Sequence, residues 1–460
     1  MNDENKNNEF KWGCSEVMGH DVYWPKHTLP LGICVTGGTG SGKTNRVLLG
    51  LFEQLIIDRK SDNVDSKFAA LILDPKLSFA DRLENVIYAH CQSDDLRFLN
   101  GRKSLTINPL NSSLAAEKIA EILSAAVHAG TPMTISSGAA YYEKRATALL
   151  GNLIRLVRLS SDVSLRAVSD LLDVIGAGKT LSCAHAEGGD AIKFVRSFML
   201  GDPKEQKMVL DSVHTLLEPY RAHPWKEMFF EGGYFNLDVA RDEGRIIVCA
   251  FLPDQPNLRS AYYLLKQLWF STIMQRMDKS ICCNRTRYCY YIADEFQQVC
   301  GRDSEAEFFA VRREALGCPI VAFQQISQVR SALGDQWETV LGLLTHKIFL
   351  RNPDPDTNQY AQKLAGFTLV EQESIQTTGG FLGLFREETS RTVSLQEVPR
   401  LPADYLFSLP DGDAVLLSEK RRLLWFPAFG RTLEWEKMHR YQHWPKHPYL
   451  KPPNDYFHSE

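Results

Sequence analysis

The stretch LGICVTGGTGSGKTNRVLLGLF, residues 31–52, decides the fold. It opens on a short apolar run (31–36), passes through a glycine cluster and continues with helical spacing over 45–57, which reads as strand, loop, helix. Within it, Gly37-Gly38-Thr39-Gly40-Ser41-Gly42-Lys43-Thr44 satisfies GxxxxGK[ST] directly after a strand and directly before a helix. Glycines let the backbone curl so that successive N–H groups point at phosphate oxygens, and the following helix presents its positive end to the same anion. Lys43 can set a point charge on the β- and γ-phosphates, and the Thr44 hydroxyl suits one coordination position of Mg²⁺. Gly37, Thr39, Gly40, Ser41, Gly42 and Asn45 complete the nucleotide-binding set, with ATP and Mg²⁺ as the expected cofactors.

A phosphate loop of this kind needs an acidic partner on a neighbouring strand. Residues 288–293 (YCYYIA) form an apolar run that ends in Asp294-Glu295. Asp294 is expected to hold Mg²⁺, directly or through water, and Glu295 to activate the attacking water as a general base. The next run, 319–323 (PIVAF), ends in Gln324, whose neutral amide can bond both γ-phosphate and water. Before it stand Arg312 and Arg313. In ring-forming ATPases an arginine from the neighbouring subunit commonly stabilises transition-state charge, and Arg313 is the candidate here. The alternative is a solvated helix face paired with Glu305, Glu307 or Glu314.

Around this pair of motifs, apolar runs at 68–73, 104–107, 245–251, 347–350 and 414–417 read as further strands, two of them stopped by Asp74-Pro75-Lys76 and Asn108-Pro109-Leu110. Helical patterns at 258–277, 305–315 and 356–364 lie between the later ones. Helices alternating with continuous apolar strands predict an α/β fold with a mainly parallel sheet covered on both faces. Over 113–228 the texture changes to Ala-, Leu-, Glu- and Lys-rich stretches with apolar spacing of three and four, which predicts an all-helical insertion. Residues 366–402 show little periodicity and read as a mobile loop with an apolar tip at Phe381, Leu382, Leu384 and Phe385. From 435 onward the chain reads as a docking tail. Its His439, His443, His447 and His458 are interrupted by proline and make a poor metal site.

Composition narrows the function classes. The 460 residues are 44% hydrophobic and 23% charged, the range of ordinary globular proteins. With 52 Lys and Arg against 56 Asp and Glu the net charge is −4, so any nucleic-acid surface must be local. Ten cysteines are scattered without a CxxC pair, and several fall in strand-like runs, which predicts reduced, buried thiols and a cytoplasmic chain. Adjacent Cys282 and Cys283 have no partners at metal-ligand spacing. No run reaches the ~20 apolar residues of a membrane span, and the first residues do not read as a signal peptide.

In order, GGTGSGKTN, LILDPK (71–76), TINPL (106–110), the helical insertion, IADEFQQ (292–298), AFQQISQV (322–329) and THKIFLRNPDPDTNQYAQKLAG (345–366) resemble the TraG/TraD-type coupling ATPases of conjugation and type IV secretion, within the FtsK/HerA motor superfamily. The resemblance runs from about residue 22 to 424. It implies a RecA-like nucleotide-binding domain (1–112 and 229–434), an inserted all-α domain (113–228), a tail (435–460) and a hexameric ring with ATP between subunits. It also implies single-stranded DNA in the central channel, relaxase or adaptor proteins on the inserted domain and tail, and the secretion channel's ATPases or membrane components as neighbours. Carried over by motif, Lys43, Thr44, Asp294, Glu295 and Gln324 keep the roles above. Family members usually begin with two membrane-spanning helices, and this sequence shows none, so attachment at the inner membrane is expected through partners. Two other readings stand beside the motor: a recruiting hub whose ATP binding controls assembly, and a soluble relative used in genome defence or DNA packaging.

Overall fold

Successive residues of the apolar runs point to opposite sides, and both sides are buried. In the computed structural model, residues 9–15, 20–59, 67–77, 79–90, 96–99, 105–129, 137–179, 189–301, 304–378, 388–411, 413–418 and 422–426 are described. The strands are β1 (Glu9–Ser15), β2 (His20–Pro25), β3 (Ile33–Thr36), β4 (Ala69–Asp74), β5 (Leu96–Leu99), β6 (Ile246–Ala250) and β7 (Cys289–Ala293). They continue with β8 (Gly317–Phe323), β9 (His346–Leu350), β10 (Phe367–Thr378), β11 (Glu388–Pro399), β12 (Ala414–Ser418) and β13 (Arg422–Phe426). Nine of them make one sheet in the order β13-β12-β9-β3-β8-β7-β4-β6-β5. From β9 to β5 every neighbouring pair is parallel, while β12 runs antiparallel to both β9 and β13. Parallel strands need crossovers and coverage on both faces, and the helices supply both.

One face carries Ile33, Val35, Ile72, Val248, Ile292 and Ile320, packed on Phe52 and Ile56 of the helix Leu49–Arg59 and on Leu83 and Val86 of the helix Ala80–Ala89. The other carries Leu71, Leu73, Cys249, Tyr291, Ala293 and Val321, packed on the helices Leu258–Met274, Ser304–Val311 and Ile326–Leu333. That second core continues without a break into a helical region made of Ala116–Ala129, Ser137–Val157, Leu165–Gly176, Gly189–Met199 and Pro203–Leu217. The helix starts follow local chemistry. Ser164 accepts from the Ala167 N–H, and Asp202, just before Pro203, accepts from the Glu205 N–H.

The helical region leaves and returns to the sheet at adjacent points. Asn108 donates to the Val163 and Gly233 carbonyls at 2.6 and 3.1 Å, and Arg158 donates to the carbonyls of Leu110, Ser112 and Leu114 at 2.8–2.9 Å. These bonds explain one correction. Residues 105–108, expected to end a strand, are irregular; their amides are taken by the returning chain, Ile107 N–H by the Met228 carbonyl and Asn108 N–H by the Phe235 carbonyl.

Two further expectations change. The expected loop at 366–402 is a regular antiparallel hairpin, β10 with β11, from Phe367 opposite Pro399 to Thr378 opposite Glu388. The named apolar tip lies outside the described residues. The helix expected over 305–315 stops at Val311, and 312–316 turn into β8. The thiols divide: Cys34, Cys249, Cys289 and Cys318 are buried, Cys283 and Cys300 half-buried and Cys282 exposed. Cys14 is described through its backbone alone, and Cys91 and Cys183, like residues 435–460 with their four histidines, lie outside the described residues. Among the described residues no helix is long and apolar enough to cross a membrane.

Candidate functional site

The parallel strands bring their C-terminal ends to one edge, the position at which open α/β sheets bind ligands. β3 delivers the glycine loop there, β8 lies next to β3, then β7, then β4. Side chains far apart in sequence therefore meet in a row: Lys43 and Thr44, Gln324, Asp294 and Glu295, and Lys76.

The loop itself is pinned. Gly38 N–H donates to the Arg351 carbonyl at 2.8 Å, and Ser41 Oγ donates to the Gly38 carbonyl at 2.8 Å. Gly40 and Gly42 hold φ of +78° and +94°, a region a side chain would strain. From Gly42 the chain enters a wide first turn, a π-helical stretch Lys43–Leu48, before the regular helix Leu49–Arg59. π-Turns of this kind gather at functional sites.

Thr44 Oγ1 donates to Asp294 Oδ2 at 2.9 Å. Asp294 is 1% exposed, and burial, aided by the nearby charges of Asp74 and Glu295, pushes its carboxyl up to about 6. A hydroxyl beside a buried carboxylate that lacks a full counter-charge is a donor set suited to a divalent cation such as Mg²⁺. Among the described residues no group of three or more His, Cys, Asp or Glu side chains is placed to hold a metal ion. A hydroxyl and one carboxylate would leave most coordination positions to phosphate and water, as Mg²⁺ with a nucleotide requires. Burial also lowers Lys43; Glu295 and Asp294 pull the other way, and the charge of Lys76 adds to the lowering.

Glu295 has a left-handed backbone, φ +51°, uncommon for a residue with a side chain and a mark of strained functional positions. Its carboxylate is surrounded by donors. Lys76 Nζ reaches Oε1 at 2.6 Å, Gln324 Nε2 reaches the same oxygen at 2.9 Å, and Gln297 Nε2 reaches Oε2 at 2.7 Å. Burial acts against ionisation here, but these three donors outweigh it and hold the carboxyl below its usual range. Gln324 is itself aimed: Asn352 donates to its carbonyl at 2.8 Å, and Thr39 Oγ1 of the loop lies 3.4 Å from its Oε1.

Lys76 and Gln297 are absent from the residue set read off the sequence. The signal for Lys76 was a strand ending in Asp-Pro-Lys; its meaning depends on β4 lying beside β7, which only the fold supplies. Asp74 shapes that turn by accepting from the N–H groups of Lys76, Phe79 and Ala80 at 2.9–3.0 Å.

The arginine pair is not brought to this edge. Both residues sit in the turn before β8, at the opposite end of the strand from Gln324. Arg312 is buried and donates to the Leu31 and Leu343 carbonyls at 2.8 and 3.0 Å and to the Phe309 carbonyl, a role within the fold. Arg313 is exposed. Within one subunit it lies away from the loop.

The comparisons agree with this layout. The family model described as the TraM recognition site of TraD and TraG matches residues 288–411, the part that carries Asp294, Glu295 and Gln324. A search of curated proteins finds no match. Among solved structures, the bacterial conjugative coupling protein TrwBdeltaN70, unbound, superposes with a TM-score of 0.62 at 16% identity over 89% of this chain and 88% of that one. Plasmid coupling protein TrwB in complex with ADP and Mg²⁺ does so with 0.61 at 16% identity, over 93% and 91%. VirB4 of Thermoanaerobacter pseudethanolicus matches with 0.55 at 10% identity, over 92% and 97%. At these identities the likeness is one of fold: a RecA-like P-loop domain with a mainly parallel sheet and an added helical region. The family match on residues 288–411 and this fold around it make the chain similar to the TraG/TraD type of coupling protein.

Proposed function

We propose that the chain binds ATP with Mg²⁺ at the Lys43–Thr44 loop, hydrolyses it and uses the energy as a hexameric ring to move DNA, single-stranded and carrying an attached protein, toward a type IV secretion or conjugation channel. One observation carries this reading: Thr44, Asp294, Glu295 and Gln324 converge on the glycine loop from three adjacent strand ends. Lys43, with Gly37, Thr39, Gly40, Ser41, Gly42 and Asn45, takes the phosphates; Thr44 and Asp294 take the metal. Glu295 serves as the base and Gln324 senses the γ-phosphate. The TrwB structures with ADPNP and with ADP and Mg²⁺ support the choice of ligand. Arg313, remote from its own loop, completes the site of a neighbouring copy. In this reading residues 1–112 and 229–434 form the nucleotide-binding domain, 113–228 the inserted domain and 435–460 the tail.

The test is ATP turnover by the purified chain with and without single-stranded DNA. DNA is expected to stimulate turnover and Glu295→Gln to abolish it; hydrolysis indifferent to DNA would remove the motor. A recruiting role is favoured separately by the description of the matched family, which names TraM recognition. Adaptor or relaxase binding to 113–228 or to the tail, with no DNA stimulation, would make recruitment the primary function.

A further inference from the structure

Glu295 Oε1 accepts two bonds at once, from Lys76 Nζ at 2.6 Å and Gln324 Nε2 at 2.9 Å, so both of its lone pairs are engaged. The bonds continue to the glycine loop through Gln324 and Thr39. The groups that face the γ-phosphate position are thus bonded to one another.

Lys76 differs from the others in this row. Its side chain is 39% exposed whereas that of Glu295 is 4% exposed, so the ammonium can leave the carboxylate without crossing a buried environment. Its backbone stays fixed meanwhile, because the Lys76 N–H donates to Asp74 Oδ1 at 3.0 Å. Its charge is also felt by Lys43, which it opposes. Two ammonium groups close enough to repel are two groups that an anion placed between them would draw together.

The geometry points to Lys76 as a triphosphate-sensing residue: its ammonium can tie down Glu295 or be drawn by a nucleoside triphosphate onto the γ-phosphate, which releases that carboxylate. The inference rests on the nucleotide site proposed above. It adds a ligand contact that a diphosphate cannot satisfy, and so a means of telling ATP from ADP at the strand β4 side of the site. The resting tie and the phosphate contact compete for one side chain.

The experiment is equilibrium binding of ADP and of the non-hydrolysable analogue ADPNP, each with Mg²⁺, to the full chain and four variants, with no turnover required. Lys76→Met is expected to bind ADP as the parent does and ADPNP at least about tenfold more weakly, the size of one charge-assisted hydrogen bond. Lys76→Arg is expected to retain most of the ADPNP affinity. Glu295→Gln loosens the resting tie and is expected to tighten ADPNP binding, and the double variant Lys76→Met with Glu295→Gln is expected to lose that gain. Retained ADP binding shows that each variant is folded. An ADPNP-to-ADP ratio unchanged by Lys76→Met, or equal weakening of both ligands, overturns the sensing role. A parent chain that binds neither ligand overturns the nucleotide site and this inference with it, an outcome distinct from the other two.

Discussion

Asp294 shows what the site costs its own fold. A carboxylate that is 1% exposed, close to Asp74 and Glu295 and bonded to one hydroxyl, holds a proton up to about 6 against an ordinary 3.8. Because the folded-state value is raised, the protonated form stabilises the fold fully below about 3.8, and that contribution is lost as pH rises through 6. The Asp294→Asn variant keeps the shape and the Thr44 contact without the charge. In the presence of a chelator it is expected to match the parent near the acid end and to exceed it at neutral pH, by on the order of 1–3 kcal/mol. The same variant is expected to lose Mg²⁺-dependent nucleotide binding. Thermal unfolding at about pH 4 and about pH 8 checks the first part, and a variant no more stable at the higher pH refutes it. Residue types at this scale were legible in the sequence: Lys43, Thr44, Asp294, Glu295 and Gln324 all meet at one edge. Lys76 was not, because its partner lies across a strand order that no spacing reveals.

The elements that hold this edge can be probed away from it. The helix Leu258–Met274 and the segment after Glu295 are joined by a fully buried pair, Lys266 Nζ to Glu305 Oε1 at 2.5 Å, beside stacked rings of Phe270 and Phe308 at 3.9 Å. Ser304 Oγ and the Gly301 N–H also donate to Glu305. Glu305→Ala leaves a buried ammonium without its counter-charge and is expected to lower stability by about 3–5 kcal/mol in urea unfolding, whereas replacing both partners with apolar residues costs far less. The strand β9 carries a second probe. His346 is buried beside the Thr28 carbonyl, and burial lowers its imidazole from 6.5 to about 4. The unfolded chain therefore takes up the proton first. Stability contributed by neutral His346 is present above 6.5 and is lost as pH falls toward 4, a total of about 3 kcal/mol. His346→Gln is expected to flatten the acid limb of the stability curve relative to the parent; identical limbs would show that this histidine does not drive it. Legibility at this scale followed apolar contrast. β3, β7 and β8, buried on both faces, read as continuous apolar runs. β10 and β11 are rich in Glu, Gln, Ser and Thr, and Leu369 at 64% and Leu395 at 65% are exposed, so the sequence there carries little of the apolar contrast that marks a buried strand. β5, with Arg97 inside four residues, was too short to register.

At the scale of the whole molecule the two ends of the sheet carry different charged groups. The nucleotide edge gathers Lys43, Lys76, Asp294 and Glu295, while Arg313 stands exposed at the far end of β8. Head-to-tail packing of identical chains places unlike surfaces of neighbours together and closes into rings when the rotation permits, so an arginine remote from its own site can serve the next one. This makes Arg313 separable from Glu295 by mixing. With the roles proposed above, Glu295 as base and Arg313 as stabiliser of transition-state charge, each of Glu295→Gln and Arg313→Ala alone is expected to abolish DNA-stimulated turnover. In an equal mixture, an interface is intact when an Arg313→Ala chain supplies the loop and Glu295 and a Glu295→Gln chain supplies the arginine, about a quarter of interfaces for random assembly. Turnover in the mixture is then expected to recover to a fraction of the parent's, and to rise with total protein concentration as rings form. A mixture as inactive as its parts, with both variants shown to bind ATP and to co-assemble, would confine Arg313 to the solvated helix-end role and leave the site to be completed by its own chain.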